Sequence, residues 1–325
     1  MGLYVSEIQR FCVHDGPGIR DTVFLQGCLL DCKWCQNPET LSPKPVLLFD
    51  QGKCTGCGAC LEPGICTKKA ISYVKDKGVH TDKKLCVGCG DCCDVCYFLA
   101  RKMSSKKMST KELVLSILKN EVVYQNSGGG VTVSGGEPLW QSTQVAKFLK
   151  ECKSKKIHTA METAGFALWS DLDKVIDVVD VFLYDMKFFT DSMHVEWTGV
   201  SNIQILKNLR RLSEVHNNIV IRIPLIPKLN DTDEEFGKMI KWVKDLKVAN
   251  TIHILPFHHF GVHKYHLLEK KYWMENYPEE NKERISACVE IATSLGFQVS
   301  VGGAGVMEDR SKKEEIMLTE SFMYE

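Results

Sequence analysis

The chain has 325 residues and no net charge, with 41 basic and 41 acidic side chains, so it can bury a full core and we expect neither nucleic acid nor a membrane as a partner. No apolar run approaches the ~20 residues of a membrane span, and the N-terminus lacks the basic and apolar segments of a secretion signal. Of the 15 cysteines, 12 fall between Cys28 and Cys96, which is unlike a secreted disulfide scaffold and predicts a metalloprotein of a reducing compartment, the cytoplasm.

The first predicted strand, 18–27, leads directly into three cysteines at C-x3-C-x2-C spacing, Cys28, Cys32 and Cys35. Thiolates are soft ligands that suit zinc, copper(I) or iron–sulfur clusters. A structural zinc site or an ordinary iron–sulfur cluster uses four protein ligands, whereas this stretch supplies three. A 4Fe–4S cluster on three cysteines keeps one iron open for a substrate. The alternative is a zinc loop whose fourth ligand lies far away in the chain.

Residues 45–104, hereafter the insert, contain two further cysteine runs. The runs are Cys54, Cys57, Cys60 and Cys66, followed by Cys86, Cys89, Cys92 and Cys96. Two-cluster ferredoxins carry C-x2-C-x2-C-x3-C-Pro, in which the fourth cysteine ligates the other cluster. That pairing predicts one 4Fe–4S cluster on Cys54, Cys57, Cys60 and Cys96, and a second on Cys66, Cys86, Cys89 and Cys92.

Two departures from the ferredoxin pattern leave this crossed pairing open: five residues precede Cys66, and no proline follows either fourth cysteine. Two zinc ribbons are the alternative, although C-x2-C-x2-C packs three ligands more closely than a ribbon does. The insert is therefore predicted to be a ferredoxin-like small α+β domain that transfers electrons. The basic run that follows, 101–111, is predicted to be a solvated linker, with a docking patch for an acidic electron donor as the other interpretation.

After this run, apolar strands alternate with amphipathic helices, which predicts a parallel α/β sheet. The predicted strands are 130–136, 157–163, 179–187, 219–227, 251–257 and 297–301. The predicted helices are 111–125, capped by Ser109 or Thr110, 143–155, 203–215 and 233–247. With the first strand, the pattern favours a partial (β/α) barrel of about six parallel strands. Nearly every strand ends in reactive or small residues, and in a barrel these ends meet at one mouth.

The three-cysteine stretch, with Trp34 before the last cysteine, resembles the signature of the radical S-adenosylmethionine superfamily. The preceding run, 14–20, is similar to that of the glycyl-radical-enzyme activating enzymes, the group that includes pyruvate formate-lyase activating enzyme. The resemblance covers residues 8–303. It implies a radical S-adenosylmethionine partial barrel formed by 1–44 and 105–303, with the insert as a two-cluster ferredoxin-type domain. The tail, 304–325, receives no role.

The resemblance also implies which residues bind the ligands. Cys28, Cys32 and Cys35 would hold the cluster that cleaves S-adenosylmethionine. The residues implied to contact S-adenosylmethionine are Trp34, Cys35 and Gln36 beside that cluster, Gly135, Gly136 and Glu137 of a GGE motif, Asp185, Met186 and Lys187 of a D-[LM]-K motif, and His258, which matches a family histidine near the adenosine. The GGE turn would hold the amino group, and the charged groups of the D-[LM]-K motif would hold the methionine end and the ribose.

Two charged residues at strand ends keep open interpretations. Glu162 stands where many relatives have an aspartate that helps to bind a monovalent cation, and the longer glutamate leaves that role open. Arg222 alternates with apolar neighbours, and a buried arginine needs an anion. That anion is the carboxylate of the ligand or the partner in a structural salt bridge.

The resemblance implies an enzyme that activates a partner glycyl radical enzyme. It would use one electron from a donor such as flavodoxin or ferredoxin, relayed by the two clusters of the insert, to cleave S-adenosylmethionine into methionine and a 5′-deoxyadenosyl radical. That radical would remove the α-hydrogen of a specific glycine in the partner. The alternative is a sulfatase-maturing or other peptide-modifying enzyme of the superfamily, but beyond Cys96 this chain has only Cys152 and Cys288. A simple electron carrier would leave the three-cysteine stretch unexplained.

Overall fold

The structure is a computed structural model that describes residues 2–75, 78–246, 250–279 and 282–302. The predicted tail, the domain end at residue 303 and the helix end at residue 247 lie outside the described residues. Among the helices of the described part, none is long and apolar enough to cross a membrane.

Most of the strands belong to one sheet. The strands are β1 (Gly2–Cys12), β2 (Arg20–Leu25), β3 (Leu47–Phe49), β4 (Ile71–Val74), β5 (Gly78–Thr81), β6 (Arg101–Met103), β7 (Lys106–Ser109), β8 (Gly130–Gly135), β9 (His158–Thr163), β10 (Val181–Asp185), β11 (Ile219–Leu225), β12 (Thr251–Pro256) and β13 (Gln298–Val301). The nine-stranded sheet has the order β13-β12-β11-β10-β9-β8-β2-β1-β7. From β13 to β2 the neighbours are parallel, whereas β1 runs antiparallel to both β2 and β7.

This arrangement confirms the predicted α/β class with a parallel sheet and a partial barrel. The described parallel run has seven strands, one more than the approximate six. The antiparallel pair β1 and β7 extends the sheet at one edge. It was not part of the predicted barrel, because β7 lies in the basic run that was expected to be a linker.

The helices cover the sheet or close its mouth. They are α1 (Asp91–Asp94), α2 (Thr110–Leu118), α3 (Glu121–Ser127), α4 (Ser142–Ser154), α5 (Trp169–Asp173), α6 (Asp191–Thr198), α7 (Ile203–Val215), α8 (Asp233–Lys244), α9 (Val262–Leu267) and α10 (Lys282–Ser294). Ser109 caps α2 in a capping box with Glu112, as one of the two predicted caps. The predicted helix 111–125 is divided into α2 and α3 at Asn120, where the backbone is not helical. The side-chain nitrogen Nδ2 of Asn120 donates to Asp21 Oδ2 at 3.0 Å.

The two faces of the parallel strands have different chemistry. In β11 the residues alternate, so that Ile221 and Ile223 are fully buried in the main core while Arg222 and Pro224 lie on the other face. The apolar face packs against helices such as α7 and α8, and each fully buried aliphatic side chain contributes about 1.5–3 kcal/mol. The other face is left for polar side chains, which positions them at the mouth.

Between β2 and β7, the insert forms two small sheets of its own. Strand β3 pairs antiparallel with β6, and β4 pairs with β5 in a hairpin. Its core cluster contains Phe49, Val79 and Ala100. The prediction of a linker at 101–111 is wrong, because 101–103 and 106–109 form the strands β6 and β7, and β7 pairs with β1. Arg101 is 2% exposed, whereas Lys102, Lys106 and Lys107 are exposed, as expected for a solvated run.

Candidate active site

The carboxyl ends of the parallel strands surround a cavity of ≈ 280 Å3. Cys28, Cys32 and Cys35 line it, together with residues from the ends of β8 to β12. The three cysteines lie on the segment 28–37, hereafter the cysteine loop. Gly27 connects β2 to this segment and has φ +101. The indole ring of Trp140 lies so close to Gly27 that a Cβ added there would be 2.3 Å from it. Only glycine therefore permits this turn.

One side of the cysteine loop is attached to the end of α6. The amide of Asp31 donates to Thr198 O at 2.8 Å, and the amide of Lys33 donates to Trp197 O at 3.1 Å. The ammonium of Lys33 also lies 4.4 Å from the centre of the Trp197 ring. Two backbone bonds and a cation–π contact thus fix the middle of the loop.

The other side of the cysteine loop is attached to α9. Lys264 Nζ donates to Asn37 Oδ1 and to Glu39 Oε1, both at 2.7 Å, and the Tyr265 hydroxyl donates to Cys35 O at 3.0 Å. The amide of Asn37 in turn donates to Cys35 Sγ at 3.4 Å. Helix α9 therefore positions the residue that bonds to a cysteine sulfur.

Gln36 joins the same two segments. Its Nε2 donates to His258 O at 2.9 Å, and its Oε1 accepts from the amide of Gly261 at 2.7 Å. Gln36 lines the cavity, so the predicted position is found, but its amide is engaged with protein backbone. The side chain closes the gap between the cysteine loop and the start of α9.

The cysteine thiols are in a desolvated environment. Burial raises the pKa of Cys28 to about 12 and that of Cys32 to about 11. Burial likewise raises the pKa of Cys35. Three adjacent thiols become thiolates here only when a positive centre compensates their charge, as a bound metal cluster does. The donor set therefore suits an iron–sulfur cluster.

The GGE turn lies against the start of the cysteine loop. A Cβ on Gly135 would lie 2.2 Å from Leu25 N, and one on Gly136 would lie 2.3 Å from Gly27 O. These glycines are thus required by the close approach of β2, in addition to any approach of a ligand. All three residues of the motif line the cavity.

Glu137 is buried and bonded to its surroundings. Its carboxylate accepts from Thr163 Oγ1 at 2.6 Å, Ala164 N at 2.9 Å and Leu139 N at 3.1 Å. Burial raises its pKa to about 7, against the effect of these hydrogen bonds. The carboxylate fixes the segment after β9 and still lines the cavity.

A network of charged groups occupies the ends of β9, β10 and β11. Arg222 Nη1 donates a hydrogen bond to Glu162 Oε1 and forms a salt bridge with it. Glu162 Oε2 accepts a hydrogen bond from the Ser134 hydroxyl. Asp185 Oδ1 lies 3.9 Å from Arg222 Nε, and Lys187 Nζ lies 2.9 Å from Asp185 Oδ2. Arg222 thus has a structural salt bridge, one of its two predicted partners.

Lys187 also faces the cysteines. Burial alone would lower its pKa, but the attraction of Asp185 and of Cys32 outweighs burial and raises the pKa above its usual value. The side chain is therefore a fixed cation beside the cysteine loop. It lines the cavity together with Asp185.

Of the remaining residues predicted to contact S-adenosylmethionine, two line the cavity and one does not. Trp34, which is 6% exposed, and His258 both line the cavity. Burial lowers the pKa of His258, so the ring is neutral at pH 7. Met186, the residue after the end of β10, does not line the cavity, because its side chain packs into the main hydrophobic core.

The insert contains two smaller cavities. One is lined by Cys54, Cys57, Cys60 and Cys96, and the other by Cys66, Cys86, Cys89 and Cys92. Cys57 and Cys89 are exposed. Each cavity thus collects three cysteines from one run and one from the other.

Three residues with clear contacts were not singled out from the sequence. Two of them are Lys264 and Tyr265 of α9, and no local sequence pattern links them to the cysteine loop, which lies more than 200 residues earlier. Arg101 was assigned to a linker. Its position after an apolar stretch in the insert was the one available signal that it is buried.

Comparison with known proteins gives consistent similarities. The profile of the Radical SAM superfamily matches residues 84–243, and that of a 4Fe-4S single cluster domain matches residues 14–63. The chain is 39% identical over 306 residues to the trans-4-hydroxy-L-proline dehydratase activating enzyme of Clostridioides difficile, covering 93% of this chain and 100% of that protein. It is 38% identical to the isethionate sulfite-lyase activating enzyme of Oleidesulfovibrio alaskensis, covering 81% and 86%. It is 34% identical to the 4-hydroxyphenylacetate decarboxylase activating enzyme of Clostridioides difficile strain 630, covering 92% and 95%.

Proposed function

Because the chain belongs to the glycyl-radical-enzyme activating enzymes of the radical S-adenosylmethionine superfamily, we propose that the cavity at the mouth of its parallel sheet is the site of that chemistry. The enzyme uses an iron–sulfur cluster and S-adenosylmethionine to activate a glycyl radical enzyme. When bound, these groups supply the reductive cleavage that yields methionine and a 5′-deoxyadenosyl radical, which takes the α-hydrogen of a glycine in the partner.

Cys28, Cys32 and Cys35 are the residues that would hold the cleaving cluster. The observation that carries this assignment is their convergence on one buried cavity with the GGE turn and the end of β10. The cysteine loop is held by α6 and α9, so the three sulfurs are positioned by protein contacts. This arrangement orients the ligands and excludes water around them.

S-adenosylmethionine would bind across the strand ends. In the proposal, the GGE turn takes the amino group, and Asp185 with Lys187 takes the charged methionine end and the ribose. His258, neutral at pH 7, would face the adenosine from the end of β12. Met186 would contribute only its backbone to this set, since its side chain lies in the core.

A monovalent cation at Glu162 is left out of the proposal. Both carboxylate oxygens are already bonded, one to Arg222 and one to Ser134. A cation would have to compete with a guanidinium in direct contact. Arg222 therefore supplies the positive charge that a cation would bring.

The insert would hold two further 4Fe–4S clusters with crossed ligation. The two cysteine-lined cavities support the pairing of Cys54, Cys57 and Cys60 with Cys96, and of the second run with Cys66. With the cysteine loop, this gives three clusters and about twelve irons. The clusters would pass electrons from a small donor such as flavodoxin or ferredoxin. Such chemistry belongs in an oxygen-free cytoplasm.

The test uses the whole chain after anaerobic reconstitution. We expect about twelve irons per chain, release of 5′-deoxyadenosine on addition of dithionite and S-adenosylmethionine, and a glycyl radical signal on a co-incubated partner. The partners to try first are those of the relatives, a hydroxyproline dehydratase and an isethionate sulfite-lyase. Cleavage that persists in a Cys32→Ala variant, or modification of a sulfatase peptide in place of a glycyl radical enzyme, would contradict the proposal.

A further inference from the structure

Arg101 is a buried cation in a domain with few other buried charges. It is 2% exposed, its Nη1 donates to Thr81 Oγ1 at 2.8 Å, and its guanidinium carbon lies 4.5 Å from the centre of the Phe49 ring. Its Nη2 is buried and has no hydrogen-bond partner within the described residues. A buried charge without an anionic partner is strongly unfavourable.

Among the described residues of the insert, none supplies that anion. In the insert, the ion pairs that the described residues form are Lys53 with Asp50 and Lys83 with Glu269. Arg101 takes part in neither. The hydroxyl of Thr81 and the face of Phe49 are neutral partners, so they solvate the guanidinium without balancing its charge.

The position of Arg101 indicates where an anion would lie. Arg101 lines the cavity that contains Cys60, and its partner Thr81 lines the neighbouring cavity that contains Cys92. The guanidinium therefore stands at the wall between the two cavities. Nη2, its unpaired nitrogen, belongs to the same planar group, which can donate in several directions at once.

We propose that Arg101 is the shared cation of the two clusters in the insert, and that it raises the reduction potential of both. The proposal rests on the two clusters of the proposed function. A 4Fe–4S cluster on four thiolates is an anion that gains further negative charge on reduction. A neighbouring cation therefore stabilises the reduced form more than the oxidised form, and net charge and hydrogen bonds to sulfur are known determinants of these potentials. Arg101 is a positioning and tuning residue, since it contacts neither S-adenosylmethionine nor the glycine.

The test compares three variants of the full chain by redox titration followed with electron paramagnetic resonance. Arg101→Met removes the charge and keeps most of the bulk, and Arg101→Lys keeps the charge. Arg211→Met is the matched control, because Arg211 is an exposed arginine whose guanidinium lies 4.0 Å from the Trp169 ring centre on the barrel. Iron content and cleavage of S-adenosylmethionine by the wild type are measured first, so that failure of the proposed function is recognised separately.

In Arg101→Met, we expect the one-electron reduction of both insert clusters to become at least tenfold less favourable, which corresponds to 59 mV. The midpoint of the cluster on the cysteine loop should stay in place, and Arg211→Met should shift nothing. Unchanged midpoints in Arg101→Met, or a shift of only one of the two, would overturn the proposal. If Arg101→Met does not retain the iron of the insert, the Arg101→Lys variant provides the test. Wild-type iron content and midpoint potentials in Arg101→Lys would support the shared cation, and a loss of iron equal to that of Arg101→Met would contradict it.

Discussion

The cysteine loop is held by protein contacts on both sides, whereas the cysteines of the insert surround two cavities next to a core cluster of three buried apolar side chains. Backbone bonds from α6 and side chains of α9 fix the loop, and its charged neighbour Lys264 is paired with Glu39. In the insert, Cys57 and Cys89 are exposed and the buried Arg101 lacks a carboxylate partner in the described residues. From this difference we expect the barrel to form its site without a cluster, and the insert to need the clusters proposed for it in order to fold.

The largest loss of activity should follow from removing one cysteine of the cysteine loop. Cys35→Ala would leave the proposed cluster with two protein ligands. Cleavage of S-adenosylmethionine should therefore fall by more than the roughly hundredfold that even an outer partner of a metal ligand contributes. Because the insert has its own small sheets and core cluster, it should keep the iron of its two proposed clusters, about eight atoms. Release of 5′-deoxyadenosine and iron analysis measure the two effects. Loss of all iron would mean that the two regions depend on each other.

Removal of iron should destabilise the insert and leave the barrel folded, whereas Cys35→Ala should affect the barrel site and leave the insert intact. We expect a unit of this size with so small a core to depend on the proposed clusters for stability. After anaerobic chelation, amides of β4 and β5 should lose protection from hydrogen exchange by roughly a hundredfold or more, while those of β10 and β11 stay protected. Mass spectrometry after proteolysis resolves the segments. Equal protection of the insert with and without iron would contradict the comparison.

Some features of the barrel and the insert can be predicted from the sequence, and others cannot. The parallel sheet, the cavity-lining cysteines and the strand-end motifs follow local patterns, because alternation, spacing and strand ends are visible in a single stretch of chain. The roles of Arg101 and Lys264 could not be predicted, since they depend on partners distant in sequence: Thr81 lies 20 residues from Arg101, and Asn37 lies 227 residues from Lys264. Met186 is a case in which a local motif predicts a ligand contact wrongly for the side chain: it stands between two charged residues just after β10, and its side chain packs into the main core.

A smaller effect is expected for the charged contact of α9. Lys264→Met leaves Glu39, whose side chain is 8% exposed, without its cation, and should lower the free energy of unfolding by about 1–3 kcal/mol. The double variant with Glu39→Gln should recover part of that loss. Chemical denaturation measures the stability, and equilibrium binding of S-adenosylmethionine reports whether the loop has moved. Lys238→Met, which breaks an exposed pair with Glu234, is the control and should leave both values unchanged.

The smallest effect separates two neighbouring tyrosines whose ring centres lie 4.7 Å apart. The Tyr265 hydroxyl donates to Cys35 O, so Tyr265→Phe should cost about 1 kcal/mol and leave a carbonyl of the cysteine loop unpaired. The Tyr272 hydroxyl is buried without a hydrogen-bond partner in the described residues, so Tyr272→Phe should be neutral or stabilising. Thermal unfolding of the two single variants gives the order directly. Because both changes remove one oxygen from the same aromatic cluster, equal destabilisation would show that packing, and not the bond to Cys35, is what α9 contributes to the loop.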